Sequence, residues 1–508
     1  MSKTMRLPTT LVNHLPFRLL ILLLAACAVC GNVEAQTPDT LWTRTFGGSN
    51  IDVGYSVQQT RDGGYVIAGY TRSFGSMSGR NVWLVKTDQS GSRLWSNAFG
   101  GDADDEGYAV QQTADGGYVI AGYTKSNTAG GTDMLLMKAD TIGNIAWLYT
   151  FGGAQDDEAY AVQQTRDGGF IVAGATSSFG AGSRDVWLLK TNGAGSEVWR
   201  KTLGGFGSDG ARSVQQTPDG GYIITGWTYS HGPGAVGNVW LVKTDSLGNA
   251  VWNKFFGGND VDRGLCVEQT RDGGFVLTGY TSSSGAGLDD LLLIKTDSAG
   301  NAQWTKTFGG TGRDYGNSVQ QTSDGGYIVA GYTLSFGSGG DDVWLIKTDL
   351  SGNQTWGATY GGSASDVGYS VKQTSDGGYI VTGHTLSYGA GVHDVWLIKI
   401  APGPTSTREP NDVASEIRLE QNYPNPFNPR TTIKFQLREV RSRRSEVSHV
   451  VLKIFDVLGR DVATLVNEEL KAGSYERVFD ASVLASGVYM YQLRAGNVIR
   501  TRKLVVLR

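Results

Sequence analysis

The sequence predicts an all-β protein: a seven-bladed β-propeller closed by its own N-terminal strand, followed by a small β-sandwich. Three observations carry this reading. The triplet Asp-Gly-Gly begins at residues 62, 115, 167, 219, 272, 324 and 376, at intervals of 52 or 53 residues, a period that belongs to propellers and solenoids. Between triplets, alternating apolar residues and Gly-rich turns select strands over helices. A tryptophan strand occurs seven times (Trp42, Trp95, Trp147, Trp199, Trp252, Trp304, Trp356), yet its first copy precedes the first triplet and none follows the last.

In chain order, Lys3, Arg6 and Arg18 precede the apolar run Leu19–Cys30. That run is shorter than the ~20 residues a membrane-spanning helix needs, but it suits the core of a signal peptide. Val33-Glu34-Ala35 offers a cleavage site, so residues 1–35 read as a signal peptide. The alternative is a lipobox at Leu24-Ala25-Ala26-Cys27, which would place a lipid on Cys27. No later run is long enough to cross a membrane as a helix. Cleavage near Ala35 leaves Cys266 alone, which rules out an intramolecular disulfide. Cys266 stands where other repeats carry Ser or Ala, so it reads as a small core residue.

Residues 36–400 form the repeat array. The first repeat divides into strands Tyr55–Thr60, Gly64–Thr71, Asn81–Thr87 and Arg93–Phe99. The second and third are apolar on both faces, as in sheets stacked between neighbours; four-stranded sheets repeated around an axis make a propeller. The leading strand Leu41–Phe46 supplies the fourth strand that Asp394–Ile400 lacks. Closing a loop of about 360 residues costs roughly 5 kcal/mol of chain entropy. Burying Trp42 and Phe46, at ~150–250 Å² each and ~25 cal/mol/Å², offsets that cost.

The turns assign the faces. Asp62-Gly63-Gly64 makes a tight hairpin between the first two strands, and Asp245-x-x-Gly248-Asn249 one between the last two. Both open on one face. The other face carries the Phe-Gly-Gly-x-x-x-Asp loops and the Ser-x-Gly loops. Of the 73 glycines, 67 lie between residues 41 and 400, and 35 fill five positions recurring in every repeat. Four of the five build Gly-Gly loops; the fifth, Gly69 and its counterparts, lies inside the second strand, where a neighbour must approach closely.

The frame FGG…D…DGGYxxxGxT…DxWLxKTDxxGNxxW resembles the bacterial β-propeller repeat often called SBBP, over about 360 residues. The resemblance supports the propeller and implies no catalytic residues. Residues 401–416 (APGPTSTREPNDVASE) read as a linker. Beyond it come the Tyr423-Pro-Asn-Pro-Phe-Asn-Pro429 motif and strands Thr431–Leu437, Val450–Asp456, Asp461–Val466, Ser474–Asp480, Val488–Leu493 and Arg500–Leu507. Lys453-Ile-Phe-Asp-Val-Leu-Gly459, Ala485-Ser-Gly-Val-Tyr489 and Arg502-Lys-Leu-Val-Val-Leu-Arg508 complete the pattern. Residues 417–508 closely resemble the type IX secretion C-terminal sorting domain, type A, which is itself similar to an Ig-like β-sandwich. The resemblance implies export across both membranes, with the type IX machinery as partner of residues 417–508 and a secreted or outer cell-surface destination. Arg438–Ser448 departs from it as a charged stretch and reads as a solvated hairpin loop.

Seven acidic residues recur without exception four residues after a Gly-Gly: Asp52, Asp105, Asp157, Asp209, Asp262, Asp314 and Asp366. They are expected to ring the axis on one face, either capping their own loops or presenting oxygens to a cation such as calcium. The cluster Asp102-x-Asp104-Asp105-Glu106 lacks a full calcium-loop spacing. On the same face one loop position varies: Phe74, Asn127, Phe179, His231, Ser284, Phe336 and Tyr388. Variable, often aromatic tips on a fixed frame can present a binding surface or tuck over blade edges. No Ser/His/Asp order, paired-His ligand spacing or P-loop stands out. Residues 36–400 hold 24 Lys and Arg against 35 Asp and Glu, a net of −11, whereas 401–508 are at +5. An acidic ring argues against nucleic acid or anionic polysaccharide as partner. The reading is therefore a monomeric binding or scaffold module for a glycan or surface protein, with no cofactor or, on the Asp ring, calcium. The alternative is an extracellular carbohydrate-active or other hydrolytic enzyme using the same face.

Overall fold

A computed structural model describes residues 37–75, 78–126, 128, 130–233, 236–403, 417–419, 421–437, 447–456, 460–471, 473–495 and 498–507. The signal peptide, Cys27, Asn127, most of the linker and most of Arg438–Ser448 lie outside the described residues. Those residues form strands and no α-helix. The chain divides into two compact units at residues 405 and 406.

The first unit holds seven four-stranded antiparallel sheets, consistent with a propeller-like repeat. In the first sheet, β2 (Asp52–Gln59), β3 (Tyr65–Thr71), β4 (Asn81–Thr87) and β5 (Arg93–Phe99) pair in sequence order. β3 and β4 are buried along their whole length, which is why both their faces are apolar. The leading strand β1 (Thr40–Phe46) pairs with Asp394–Ile400, in a register that sets Thr43 against Ile398 and Phe46 against Val395. It is thus the fourth strand of the last sheet.

Successive sheets are joined by one backbone bond in every repeat and by a serine bond in four. The Asp105 N–H donates to the Arg80 carbonyl at 2.8 Å, and the Asp52 N–H to the His393 carbonyl at 2.8 Å. Val110 N–H reaches Ser56 Oγ at 3.3 Å, and Val57 N–H reaches Ser370 Oγ at 3.4 Å. One core cluster joins Phe46, Val57 and Trp83 to Ile380, Val395 and Leu397, so the last sheet packs on the first as any neighbour does.

The first strand begins at Asp52, three residues before the expected Tyr55, because the Asp backbone already pairs with Thr71. On the hairpin face, each Asp-Gly-Gly carboxylate meets a buried third-strand lysine. Lys86–Asp62, Lys138–Asp115, Lys190–Asp167, Lys243–Asp219, Lys295–Asp272, Lys347–Asp324 and Lys399–Asp376 pair at 2.8–3.0 Å. Burial pushes the Asp115 carboxyl up, but hydrogen bonds from Thr113 and Lys138 outweigh it and hold the group at about 2. Asp167, Asp219 and Asp272 are held at about 2 by the same arrangement.

The second unit is two packed sheets. One contains Ile417–Leu419, Arg430–Leu437 and Gly473–Asp480; the other contains Asp461–Lys471, Val447–Phe455, Gly487–Ala495 and Val498–Val506. The first of these strands was not expected from sequence: three residues are too few to show a period. Asp461–Lys471 runs five residues past its expected end at Val466, since its exposed half is not apolar. Ile433, Phe435, Leu452, Ile454, Tyr491 and Leu504 fill the core between the sheets. The proline-rich motif is anchored there: Phe427 is buried, the Asn422 N–H donates to Tyr491 Oη at 2.9 Å, and Asn425 Oδ1 accepts from the Val505 N–H at 2.8 Å.

Two outcomes follow. Deleting residues 37–47 exposes the edge of Asp394–Ile400 and should lower the melting temperature far more than an exposed single substitution; an unchanged melt would refute closure. The depressed hairpin carboxyls contribute stability that is whole above their unfolded pKa near ~4 and is lost as pH falls through about 2. The melting temperature should therefore drop between about pH 4 and pH 2, less steeply in Asp115→Asn.

Candidate functional site

The seven recurrent aspartates are all buried. Each accepts the backbone N–H of the second glycine of its Phe-Gly-Gly loop, Gly48, Gly101, Gly153, Gly205, Gly258, Gly310 or Gly362, at 2.8–2.9 Å. The same oxygen accepts the hydroxyl of Ser73, Ser126, Ser178, Ser230, Ser283, Ser335 or Ser387, at 2.5–2.9 Å. Thr71, Thr124, Thr333 and Thr385 donate to the other oxygen in four repeats. Asp52, Asp105, Asp157, Asp209, Asp262, Asp314 and Asp366 thus tie together the two loops of their own repeat. Among the described residues no three His, Cys, Asp or Glu side chains group as metal ligands. In the acidic cluster, Asp104 accepts the Arg80 N–H at 2.9 Å, and Glu106 pairs with Arg80 and accepts the Tyr123 hydroxyl at 2.8 Å.

The loop tips rest on tryptophans of the third strand. Ring centroids lie 5.4 Å apart for Phe74 and Trp83, 5.5 Å for Phe179 and Trp187, and 6.0 Å for His231 and Trp240. Phe336 and Trp344 are at 5.4 Å, and Tyr388 and Trp396 at 5.3 Å. The two repeats whose third strand carries Leu135 or Leu292 have Asn127 and Ser284 at the tip. The tip is aromatic only where there is a tryptophan to cover, so its variation has a cause inside each repeat. Phe74, Phe179, Phe336 and Tyr388 remain partly exposed. A cavity of about 440 Å³ adjoins Phe336 and Trp344, where Gly357 leaves the fourth strand bare.

The chemistry that sequence reading missed is central. The pairing of β2 with β3 slips between Gly54 and Ser56. A Cβ on Gly69 would stand 1.8 Å from the Val53 carbonyl oxygen; only glycine admits the bulge. Tyr55 is left unpaired, as are its counterparts Tyr108, Tyr160, Arg212, Leu265, Asn317 and Tyr369. All seven line a central cavity of about 430 Å³. Four of them are adjacent tyrosines, with centroids 4.9 Å apart for Tyr55 and Tyr108, 5.0 Å for Tyr55 and Tyr369, and 5.2 Å for Tyr108 and Tyr160. Burial raises the phenols of Tyr55, Tyr108 and Tyr369, so they stay protonated at neutral pH. Cys266 is half-buried beside this cavity, its Sγ 3.7 Å from the Val319 carbonyl, and burial raises its thiol.

At the loop end of the cavity the repeats diverge. The residue after each recurrent Asp is Val53, Glu106, Glu158, Gly210, Arg263, Tyr315 or Val367, and each pairs across to Tyr70, Tyr123, Ala175, Trp227, Tyr280, Tyr332 or His384. Arg184 pairs with Glu158, and Asp289 meets Arg313 at 3.5 Å and the Tyr315 hydroxyl at 2.6 Å. His384 stacks on His393 at 4.6 Å. Burial and then the neighbouring imidazole lower the His384 pKa to about 4, so it is neutral at pH 7. The available signal was variation at positions 53 and 70 within an otherwise fixed frame.

Residues 421–507 match the family model described as the Secretion system C-terminal sorting domain. The chain ends in a type IX sorting domain. Such a sorting domain implies engagement with the secretion machinery and export to the cell surface or beyond. The chain is 26% identical over 282 residues to the "Regulatory protein FlaEY" of Caulobacter vibrioides, an alignment covering 46% of this chain and 28% of that protein. It spans less than a third of that relative's length. Among solved structures, it aligns with a fungal alcohol oxidase of the AA5 family in complex with copper at 12% identity and a TM-score of 0.42, covering 93% of this chain and 100% of that one. Puromycin hydrolase aligns at 11% identity and a TM-score of 0.41, covering 78% and 60%. Neither likeness bears on the chemistry of this chain.

The carboxylate ties make a direct test. Asp314→Ala strands the Gly310 N–H and the Ser335 and Thr333 hydroxyls, and should cost about 3 kcal/mol of stability, measured by chemical denaturation. A loss within ~0.5 kcal/mol, as at ordinary surface sites, would show that the loops hold without it.

Proposed function

We propose that this is a binding module displayed on or released from the cell surface: a seven-bladed β-propeller that meets a glycan or protein on its loop face, carried out by an Ig-like sorting domain. One observation carries the reading. The frame repeats almost without change, while the facing pair at the loop end of the central cavity is a different combination in each repeat, drawn from tyrosine, tryptophan, arginine, glutamate, histidine, valine, alanine and glycine. A scaffold that served only its own stability would repeat there too. Convergent aromatic and charged groups at a concave mouth are what ligand recognition requires. The half-exposed tips Phe74, Phe179, Phe336 and Tyr388 form an outer rim to the same surface.

The test is a binding screen of the full chain against a glycan array and surface-protein extracts, with and without calcium. Saccharide or protein binding that is lost on changing Tyr55 and Tyr108 to alanine supports the reading. Binding that is indifferent to both residues places recognition elsewhere, and turnover of the bound saccharide would reveal a hydrolase. A calcium requirement would assign a cation to the loop face.

A further inference from the structure

The charged groups around the mouth are neutralised unevenly. Arg80 has Glu106 and Arg184 has Glu158. Among the described residues, Arg212 and Arg263 have no carboxylate within ion-pair distance. Their contacts are with aromatic residues: the Arg212 guanidinium lies 3.9 Å from the Tyr160 ring centre and 5.5 Å from that of Trp227, and Arg263 lies 5.1 Å from Trp227 and 6.0 Å from Tyr229, to whose hydroxyl its Nη2 donates at 3.4 Å. Stacking occupies the faces of a guanidinium and leaves its N–H edges for a ligand. The Nε atoms of both arginines are buried without a hydrogen-bond partner, as are those of Arg80 and Arg184; what sets Arg212 and Arg263 apart is that, among the described residues, no glutamate compensates them.

The surroundings are shaped for this. Gly210 stands opposite Trp227 where other repeats carry valine, glutamate, arginine or tyrosine, and a Cβ there would lie 2.3 Å from the indole ring. Gly237 stands where others carry arginine, threonine, aspartate or histidine, and its Cβ would lie 2.8 Å from the Tyr229 ring. Gly210 therefore makes room for a tryptophan where other repeats have at most a tyrosine, and Gly237 for a tyrosine where no other repeat has an aromatic residue. In the same repeat Phe206 is 92% exposed, next to Gly207, which packs on the Tyr229 backbone.

We propose that Arg212 and Arg263, set around Trp227 and Tyr229, form a binding site for a carboxylate-bearing sugar, a uronic acid at the end of a chain or as a short oligomer. Planar guanidinium forks match a carboxylate; buried Trp227 backs the two arginines, and the partly exposed phenol of Tyr229 suits a sugar ring. The net charge of −11 over residues 36–400 repels a long polyanion, which limits the ligand to few negative charges. This site rests on the binding-module reading and specifies its ligand.

The experiment is calorimetric titration of the full chain with trigalacturonate, its neutral methyl ester and inorganic phosphate, with Trp fluorescence recorded in parallel. Trigalacturonate should bind and the ester should bind at least about tenfold more weakly, a gap of ~1.4 kcal/mol. Arg263→Gln and Arg212→Gln should each lose at least tenfold for the acid. Arg263→Lys, which keeps charge without the fork, should fall between. Melting curves show that each variant is folded. Equal binding of acid and ester, binding indifferent to both arginines, or phosphate binding as tightly as the uronate would overturn the carboxylate site and leave the binding-module reading standing. No binding here together with an empty glycan and protein screen would overturn both.

Discussion

Everything on the loop face depends on one buried carboxylate per repeat. Asp52 and its six counterparts take a backbone N–H from one loop and a hydroxyl from the other on a single oxygen. Withdrawing a carboxylate from water costs several kcal/mol unless charge-assisted hydrogen bonds replace the lost solvation. Here the replacements come from two segments about 25 residues apart in the chain, so the cost of burial is offset only when both loops are in place. These ties fix the two loops to each other, and the side chains at the central mouth stand on that rim.

How the fold and the site emerge from the sequence differs for a physical reason. Strands β3, β4 and β5 fall where alternation and turn chemistry put them, because burial on both faces and tight hairpins tolerate few residues. Closure by β1 follows from counting tryptophan strands. The mouth does not follow from any of this, since it is built from what fails to recur: Gly210, Trp227, Arg212 and Arg263 mean little until the bulge at Tyr55 and its counterparts turns one residue per repeat toward the centre. The bulge itself was half visible, as a glycine inside the second strand without an identified neighbour. The loop tips illustrate the opposite case. Phe74 or Tyr388 alone looks like a ligand contact, and only comparison with Trp83 or Trp396 reveals a lid over the core.

Net charge and local charge answer different questions. The excess of acids over residues 36–400 sets the field felt at a distance, which ions screen within about 8 Å at physiological strength. Two arginines without acidic partners act only at contact, where stacking on Trp227 has already removed part of their hydration. A surface can therefore turn away polyanions while holding a single carboxylate, and the sign of the whole chain does not forecast the sign of its preferred ligand.

The pairing of β1 with Asp394–Ile400 also has a kinetic side. Each internal sheet is assembled from neighbours in sequence, but Phe46 and Val395 meet across almost the whole array. Contacts of such sequence separation form late, because loop-closure entropy must be met before they contribute. Six sheets can form as the chain is made; the seventh must wait for the final repeat, with Leu41, Trp42 and Phe46 unpaired until it arrives. The ring therefore has a last step, and that step joins its two ends.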